Sequence, residues 1–180
     1  MLKIDTSSPM TSTPTSTFAK TTSIPTAGIT FFIRRRGGLT RLLASRTQIP
    51  VFIESSYGSL SSLRSHPNLI AIAGGVGIVT VLPLLRIHPG RSKLYWGLRT
   101  QGLLGALADD LEGVDKEVFV GKRMDVRTVL EKEIGGDRGK GAVVVVSGPA
   151  ALADDVRAIV CELGKKEGAW PVKLVDESFG

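Results

Sequence analysis

From residue 69 onward, short apolar runs alternate with segments of helical periodicity. The runs are rich in β-branched residues and cover residues 69–73, 94–98, 118–120, 143–146 and 172–175. Between them, apolar residues recur at helical spacing, as in Val126, Val129, Leu130 and Ile134 and again in Leu152, Val156, Ile159, Val160 and Leu163. Strands that alternate with helices predict an α/β fold, built on a five-stranded parallel sheet that is covered on both faces.

The first 66 residues have a different pattern. Serine and threonine dominate residues 1–28, with prolines interspersed, and such a composition predicts a disordered segment. Residues 29–66 predict a strand at 29–33, a short helix at 39–43 and a strand at 51–53. We therefore expect three parts, which are a disordered segment (1–28), a small β-containing segment (29–66) and an α/β domain (67–180).

Charge and composition narrow the choice of partners. The 180 residues carry a net charge of +6, which favours anionic partners such as phosphates. The basic residues form no long stripe and aromatic residues make up only 6%, so we expect no nucleic-acid partner. One cysteine and two histidines make a poor metal site, and we expect none.

The longest uncharged apolar stretch covers residues 69–85. Its 17 residues include three glycines and one proline, whereas a membrane span needs about 20 apolar residues. A buried strand, a glycine turn and the start of a helix explain this stretch better. We therefore expect the chain by itself to be soluble.

The glycine turn in that stretch is the strongest candidate for binding chemistry. Gly74, Gly75 and Gly77 follow the first apolar run, although the third glycine of a full dinucleotide fingerprint is replaced by Thr80. Residues without a Cβ let backbone N–H groups approach a pyrophosphate at a helix N-terminus. We expect Gly77 to take a positive φ and to face the pyrophosphate; the alternative is a purely structural turn.

Positively charged residues follow the second and third apolar runs. An NAD site usually has an acidic residue about 20 residues beyond the glycines, but that region here ends in Arg99. Lys122 and Arg123 follow the next run. Arginine can form a charge-assisted contact with a 2′-phosphate, so these residues favour NADPH over NADH. The alternative is that all three are ordinary surface cations.

A third candidate feature follows the valine run. Ser147, Gly148 and Pro149 stand at its carboxyl end, which is the edge where open α/β sheets bind ligands. Asp154 and Asp155 fall early in the helix that follows, where carboxylates favour the positive end of the helix dipole. We interpret these two carboxylates as structural.

The order of these motifs resembles that in ferric-chelate reductases of the fungal type. The resemblance is to their C-terminal NADPH-binding domain, within the ferredoxin-NADP reductase-like superfamily that also includes NADPH oxidases. The motifs are YG at 57–58, AGGVGI at 73–78, YWGLR at 95–99, VGKR at 120–123, SGP at 147–149 and DESF at 176–179.

The resemblance implies a domain that passes hydride from NADPH to FAD, from which electrons go on to a metal acceptor. It implies Ser147 as the catalytic residue on the nicotinamide side. The residues implied for NADPH are Gly74, Gly75, Gly77, Arg99, Lys122, Arg123, Gly148 and Pro149. Those implied for FAD are Gly38, Thr40, Tyr57 and Phe179.

The resemblance also implies the surroundings of the domain. Residues 29–66 would be a truncated remnant of the FAD-binding β-barrel, a longer homologue would carry a membrane haem domain, and the location would be the cytosolic face of a membrane. The barrel motif that grips the flavin is missing from this chain, so we expect FAD to be held weakly or lost. The alternatives to a reductase are a non-catalytic soluble NADPH-binding module and an inactive fragment without a functional flavin site.

Overall fold

The computed structural model describes residues 2–5, 30–33, 37–46, 50, 61–135, 141–166 and 171–179. The chain divides into two compact units, Met1–Glu54 and Ser55–Gly180. The predicted strand at 51–53 and the candidate flavin residue Tyr57 lie outside the described residues.

The first unit contains an antiparallel pair of strands and a short helix. β1 (Leu2–Asp5) pairs with β2 (Thr30–Ile33), and α1 covers Leu39–Leu43. β2 and α1 confirm the predicted strand and helix. β1 lies within the segment 1–28 for which the sequence predicts disorder, and residues 6–28 of that segment are outside the described residues. Four residues are too few to show a strand periodicity, and β1 is defined by a partner about 30 residues away along the chain.

The second unit is built on a five-stranded sheet whose strands are all parallel, in the order β5-β4-β3-β6-β7. Its strands are β3 (Asn68–Gly74), β4 (Arg91–Leu98), β5 (Lys116–Val120), β6 (Ala142–Ser147) and β7 (Lys173–Asp176). Its helices are α2 (Ser61–Arg64), α3 (Ile78–Ile87), α4 (Gly102–Ala106), α5 (Val126–Ile134) and α6 (Ala150–Leu163), with 3₁₀ turns at Gly75–Gly77 and Asp109–Leu111. The predicted α/β fold with five parallel strands is confirmed.

Both faces of the sheet are covered. On one face, α5 and α6 pack on alternate strand residues such as Ile70, Ile72 and Val144. Side chains alternate along a strand, so Leu69 and Ala71 point to the other face, where α3 packs on β3, β4 and β6. All six residues of β6 are buried, which explains why this central strand is almost continuously valine.

The uncharged stretch at residues 69–85 divides as expected. It forms most of β3, the 3₁₀ turn and most of α3. Among the described residues, no helix combines the length and the apolarity that crossing a membrane requires.

One polar contact ties α5 to the sheet inside the core. The Tyr95 hydroxyl of β4 donates to Glu133 Oε1 of α5 at 2.6 Å, and both residues are buried. Lys93 Nζ lies 3.6 Å from the same oxygen and 5.0 Å from the centroid of the Tyr95 ring. Burial, followed by the hydrogen bond to Glu133, raises the pKa of Tyr95, so the phenol remains the donor.

We expect Tyr95→Phe to lower the free energy of unfolding by about 1–3 kcal/mol, because it removes a hydrogen-bond donor from a buried carboxylate. Urea denaturation measures the change. Glu133→Gln is the companion variant: it keeps a carbonyl oxygen that accepts from Tyr95 but removes the charge that faces Lys93, so its cost reports on the ion pair instead. A Tyr95→Phe protein as stable as wild type would show that this contact does not stabilise the packing of α5.

Candidate functional site

The predicted site residues meet at the carboxyl edge of the sheet. Gly74 is level with Gly97 of β4, and Ala73 is level with Ser147 of β6. The Gly121 N–H, just after β5, donates to Leu98 O at 2.8 Å. The loops after β3, β4, β5 and β6 therefore leave the sheet side by side. β3 lies where the connections diverge to either side, and open α/β sheets bind ligands at this crevice.

The turn after β3 has the features of an anion site. Gly75 has a φ of +56°, and a Cβ built on it would meet no atom within 4 Å, so this part of the turn faces open space. α3 then begins with no side-chain cap and no acidic residue in its first turn. The Ile78 N–H, the first of α3, donates to Val76 O of the 3₁₀ turn. The N–H groups of the turn itself, at the positive end of the helix dipole, therefore suit a negatively charged ligand.

The expected backbone conformation of Gly77 is wrong, and its role toward the nucleotide stays a prediction. Its φ is −57°, not positive. A Cβ on Gly77 would lie 2.1 Å from Ser147 O and 2.5 Å from Ser147 C, so glycine is needed here for packing against β6. Gly148 packs back in the same way, since its Cβ would lie 3.0 Å from Gly74 N. Gly75 is the residue with a positive φ that faces outward.

Trp96 is a site residue that sequence reasoning missed. Its indole Nε1 donates to Gly75 O at 2.9 Å, and the side chain is fully buried. This hydrogen bond holds the carbonyl of the outward-facing glycine. The only signal for Trp96 in the sequence is its position inside the YWGLR motif, three residues before Arg99.

The three candidate cations differ in their partners. Arg99 is exposed and forms no ion pair within the described part of the chain. Lys122 is also exposed, with Nζ 5.6 Å from the centroid of the Phe119 ring. Arg123 Nη2, in contrast, lies 2.8 Å from Asp155 Oδ2 of α6. Two of the three cations are therefore available to a ligand without breaking an ion pair with a described residue.

Ser147 is fully buried, and its hydroxyl donates to Glu177 O at 2.9 Å. The Phe179 N–H donates to Gly148 O at 3.0 Å, next to Pro149. The segment after β7 therefore lies against the SGP turn. The Ser147 hydroxyl holds this segment in place, and its assignment to the nicotinamide stays a prediction.

The segment after β7 is fixed in turn by Asp176. This carboxylate accepts from the Ser178 N–H at 2.9 Å and pairs with Arg157 of α6. Hydrogen bonds from Ser178, reinforced by Arg157, lower the pKa of Asp176. The carboxylate therefore stays charged at neutral pH and keeps the segment on the sheet edge.

The residues predicted for FAD lie in both units, and one of them is outside the described residues. Gly38 and Thr40 lie in the first unit, where Gly38 has a φ of +62° and Thr40 Oγ1 donates to Gly37 O at 3.2 Å. Phe179 lies in the second unit with 44% of its surface exposed, and Tyr57 is outside the described residues. Their role toward FAD stays a prediction.

Comparison with known proteins identifies the fold. No family model and no curated protein matches the sequence. The full-length CYP116B46 from Tepidiphilus thermophilus matches with a TM-score of 0.56 and 17% identity, over 78% of this chain and 19% of that one. The flavohemoglobin from Malassezia yamatoensis, determined with bound FAD and heme, matches with a TM-score of 0.54 and 20% identity, over 85% of this chain and 43% of that one. The CS-b5R domains of human Ncb5or, in the NAD⁺ form, match with a TM-score of 0.56 and 17% identity, over 86% of this chain and 50% of that one.

These likenesses, at 17–20% identity, establish a common fold. The predicted ferredoxin-NADP reductase-like α/β fold is confirmed. The chain spans half or less of the length of each of the three structures.

A matched pair of glycine variants tests the two roles in the turn. We expect Gly77→Ala to lower the free energy of unfolding by about 3 kcal/mol or more, because its Cβ would overlap the Ser147 backbone. Gly75→Ala should cost about 1 kcal/mol, which is the strain of a positive φ. Thermal and urea unfolding measure both changes. Equal stability of the two variants would contradict the assignment of Gly77 to packing.

Proposed function

We propose that this chain is the NADPH-binding part of a reductase that passes hydride to FAD and electrons on to a metal acceptor. The observation that carries the proposal is the uncapped glycine turn at the sheet crevice, flanked by exposed cations. The outward-facing Gly75 and the start of α3, which has neither a side-chain cap nor a first-turn carboxylate, leave this turn open to an anion. A pyrophosphate suits this turn, and a second, separate phosphate suits the exposed cations Arg99 and Lys122.

The spacing of the edge suits a dinucleotide. Neighbouring strands lie about 4.8 Å apart, so the loop after β5 is roughly 10 Å from the turn after β3. A pyrophosphate at Gly75 would place the adenosine ribose toward β4 and β5, where Arg99 and Lys122 are exposed. Both are cations, so the proposed nucleotide carries a 2′-phosphate, which favours NADPH over NADH.

The finer identity of the reaction rests on the resemblance to ferric-chelate reductases. When bound, NADPH would supply a hydride, FAD would accept that hydride with its two electrons, and two ferric ions, the proposed final acceptors, would each take one electron. In this proposal the chain positions the nucleotide through Gly75, Arg99 and Lys122. The Malassezia flavohemoglobin holds FAD and heme and the human Ncb5or domains are in the NAD⁺ form, which supports the same class of ligands here.

Arg99→Ala tests the 2′-phosphate contact. We expect it to weaken NADPH binding by about 1–3 kcal/mol and NADH binding little, because only NADPH loses a charge-assisted contact. Calorimetric titration with each nucleotide measures the difference. The matched control is Arg91→Ala, which removes an exposed arginine at the opposite end of the same strand. Equal losses for NADPH and NADH would contradict the assignment.

A second experiment tests electron transfer. We expect the purified chain to be colourless and to reduce ferric chelates slowly or not at all with NADPH, because the barrel motif for FAD is missing. Added FAD should restore some NADPH-dependent bleaching of flavin absorbance, and a separately supplied FAD-binding barrel should restore more. Binding of NADPH without any bleaching under either condition would favour the non-catalytic module. Rapid turnover by the chain alone would contradict weak retention of FAD.

A further inference from the structure

The ion pair between Arg123 and Asp155 joins two elements that begin at the candidate site. Arg123 lies in the loop after β5, and Asp155 lies in the second turn of α6. Their side chains are 84% and 45% exposed, yet Arg123 Nη2 is only 2.8 Å from Asp155 Oδ2. The pair borders a pocket of about 360 Å³ between the start of α5 and α6. Met124, Val126 and Ile159 contribute buried apolar residues to this pocket.

The other charged residues around this pocket have different partners. Asp125 caps α5 by accepting from the Thr128 N–H at 3.1 Å. Arg127 is paired with Glu162 of α6 at 2.8 Å. Asp155 is therefore the pocket carboxylate that pairs with one of the candidate 2′-phosphate cations.

We propose that Asp155 is a specificity-determining residue that withholds Arg123 from the nucleotide 2′-phosphate. The inference rests on the proposed NADPH site. An arginine held by a carboxylate must exchange that partner for the phosphate, and the carboxylate left behind repels the phosphate. NADH carries no 2′-phosphate and meets neither cost. Asp155 thus lowers the preference for NADPH below what Arg99, Lys122 and Arg123 would otherwise produce.

The size of the effect follows from the exposure of the pair. An exposed ion pair is weak and is screened by salt, so Arg123 exchanges partners readily. We expect Asp155 to reduce NADPH affinity by about twofold to fivefold, with the larger effect at low ionic strength.

Asp155→Asn tests the proposal in the full chain, with NADPH and NADH as the titrated ligands. We expect NADPH to bind about twofold to fivefold more tightly and NADH affinity to stay unchanged. The matched control is Asp154→Asn, which removes the same charge one residue earlier. Asp154 pairs with Arg157 at 2.6 Å instead of Arg123, so this control should leave both affinities unchanged. Circular dichroism checks that both variants are folded.

The double variant Arg123→Ala with Asp155→Asn separates a direct role from a general field effect. It should bind NADPH as Arg123→Ala alone does, because no arginine remains to be released. An unchanged NADPH affinity in Asp155→Asn would overturn the inference. The inference would also be overturned if Asp154→Asn bound NADPH as tightly as Asp155→Asn, or if the double variant bound NADPH more tightly than Arg123→Ala. If wild type binds NADPH, any of these results overturns only the proposed role of Asp155 and leaves the proposed function standing. If wild type binds neither nucleotide, the proposed function is overturned as well.

Discussion

The candidate site depends on the close packing of two backbone turns. Gly77 approaches the end of β6 so closely that a Cβ would lie 2.1 Å from Ser147 O, and Gly148 approaches Gly74 in return. This contact holds the 3₁₀ turn against the neighbouring strand. With that side of the turn packed, Gly75 is the part that faces outward, and its carbonyl is held by Trp96. A rigid turn with one open side is what presents backbone N–H groups to a ligand.

The cations around this turn differ in whether they form an ion pair with another described residue. Arg99 and Lys122 are exposed at the edge, whereas Arg123 is paired with Asp155. Exposed charges attract a phosphate without a large desolvation cost, and their effect falls with ionic strength. In the proposed site, Arg99 and Lys122 would therefore attract a phosphate directly, whereas Arg123 would first have to leave Asp155.

The sequence by itself determined the second unit of the fold and the edge that carries the site. Apolar runs and helical periodicity are local signals, and they predicted β3 to β7, α5 and α6. Parallel strands end at one edge, so their order also predicted that Gly75, Arg99, Lys122 and Ser147 would come together there. These conclusions need only the spacing of residue types along the chain.

Only the tertiary structure decided which residues at that edge are packed, hydrogen-bonded or ion-paired with distant residues. Gly77 meets Ser147 about 70 residues further along the chain, and Arg123 meets Asp155 across 32 residues. The hydrogen bond from Trp96 to the glycine turn spans 21 residues. Contacts of this kind leave no periodic pattern, because they depend on how distant elements pack. The sequence therefore predicted which residues would lie at this edge of the sheet, and the packing of distant residues determined which of their groups are exposed and which are paired.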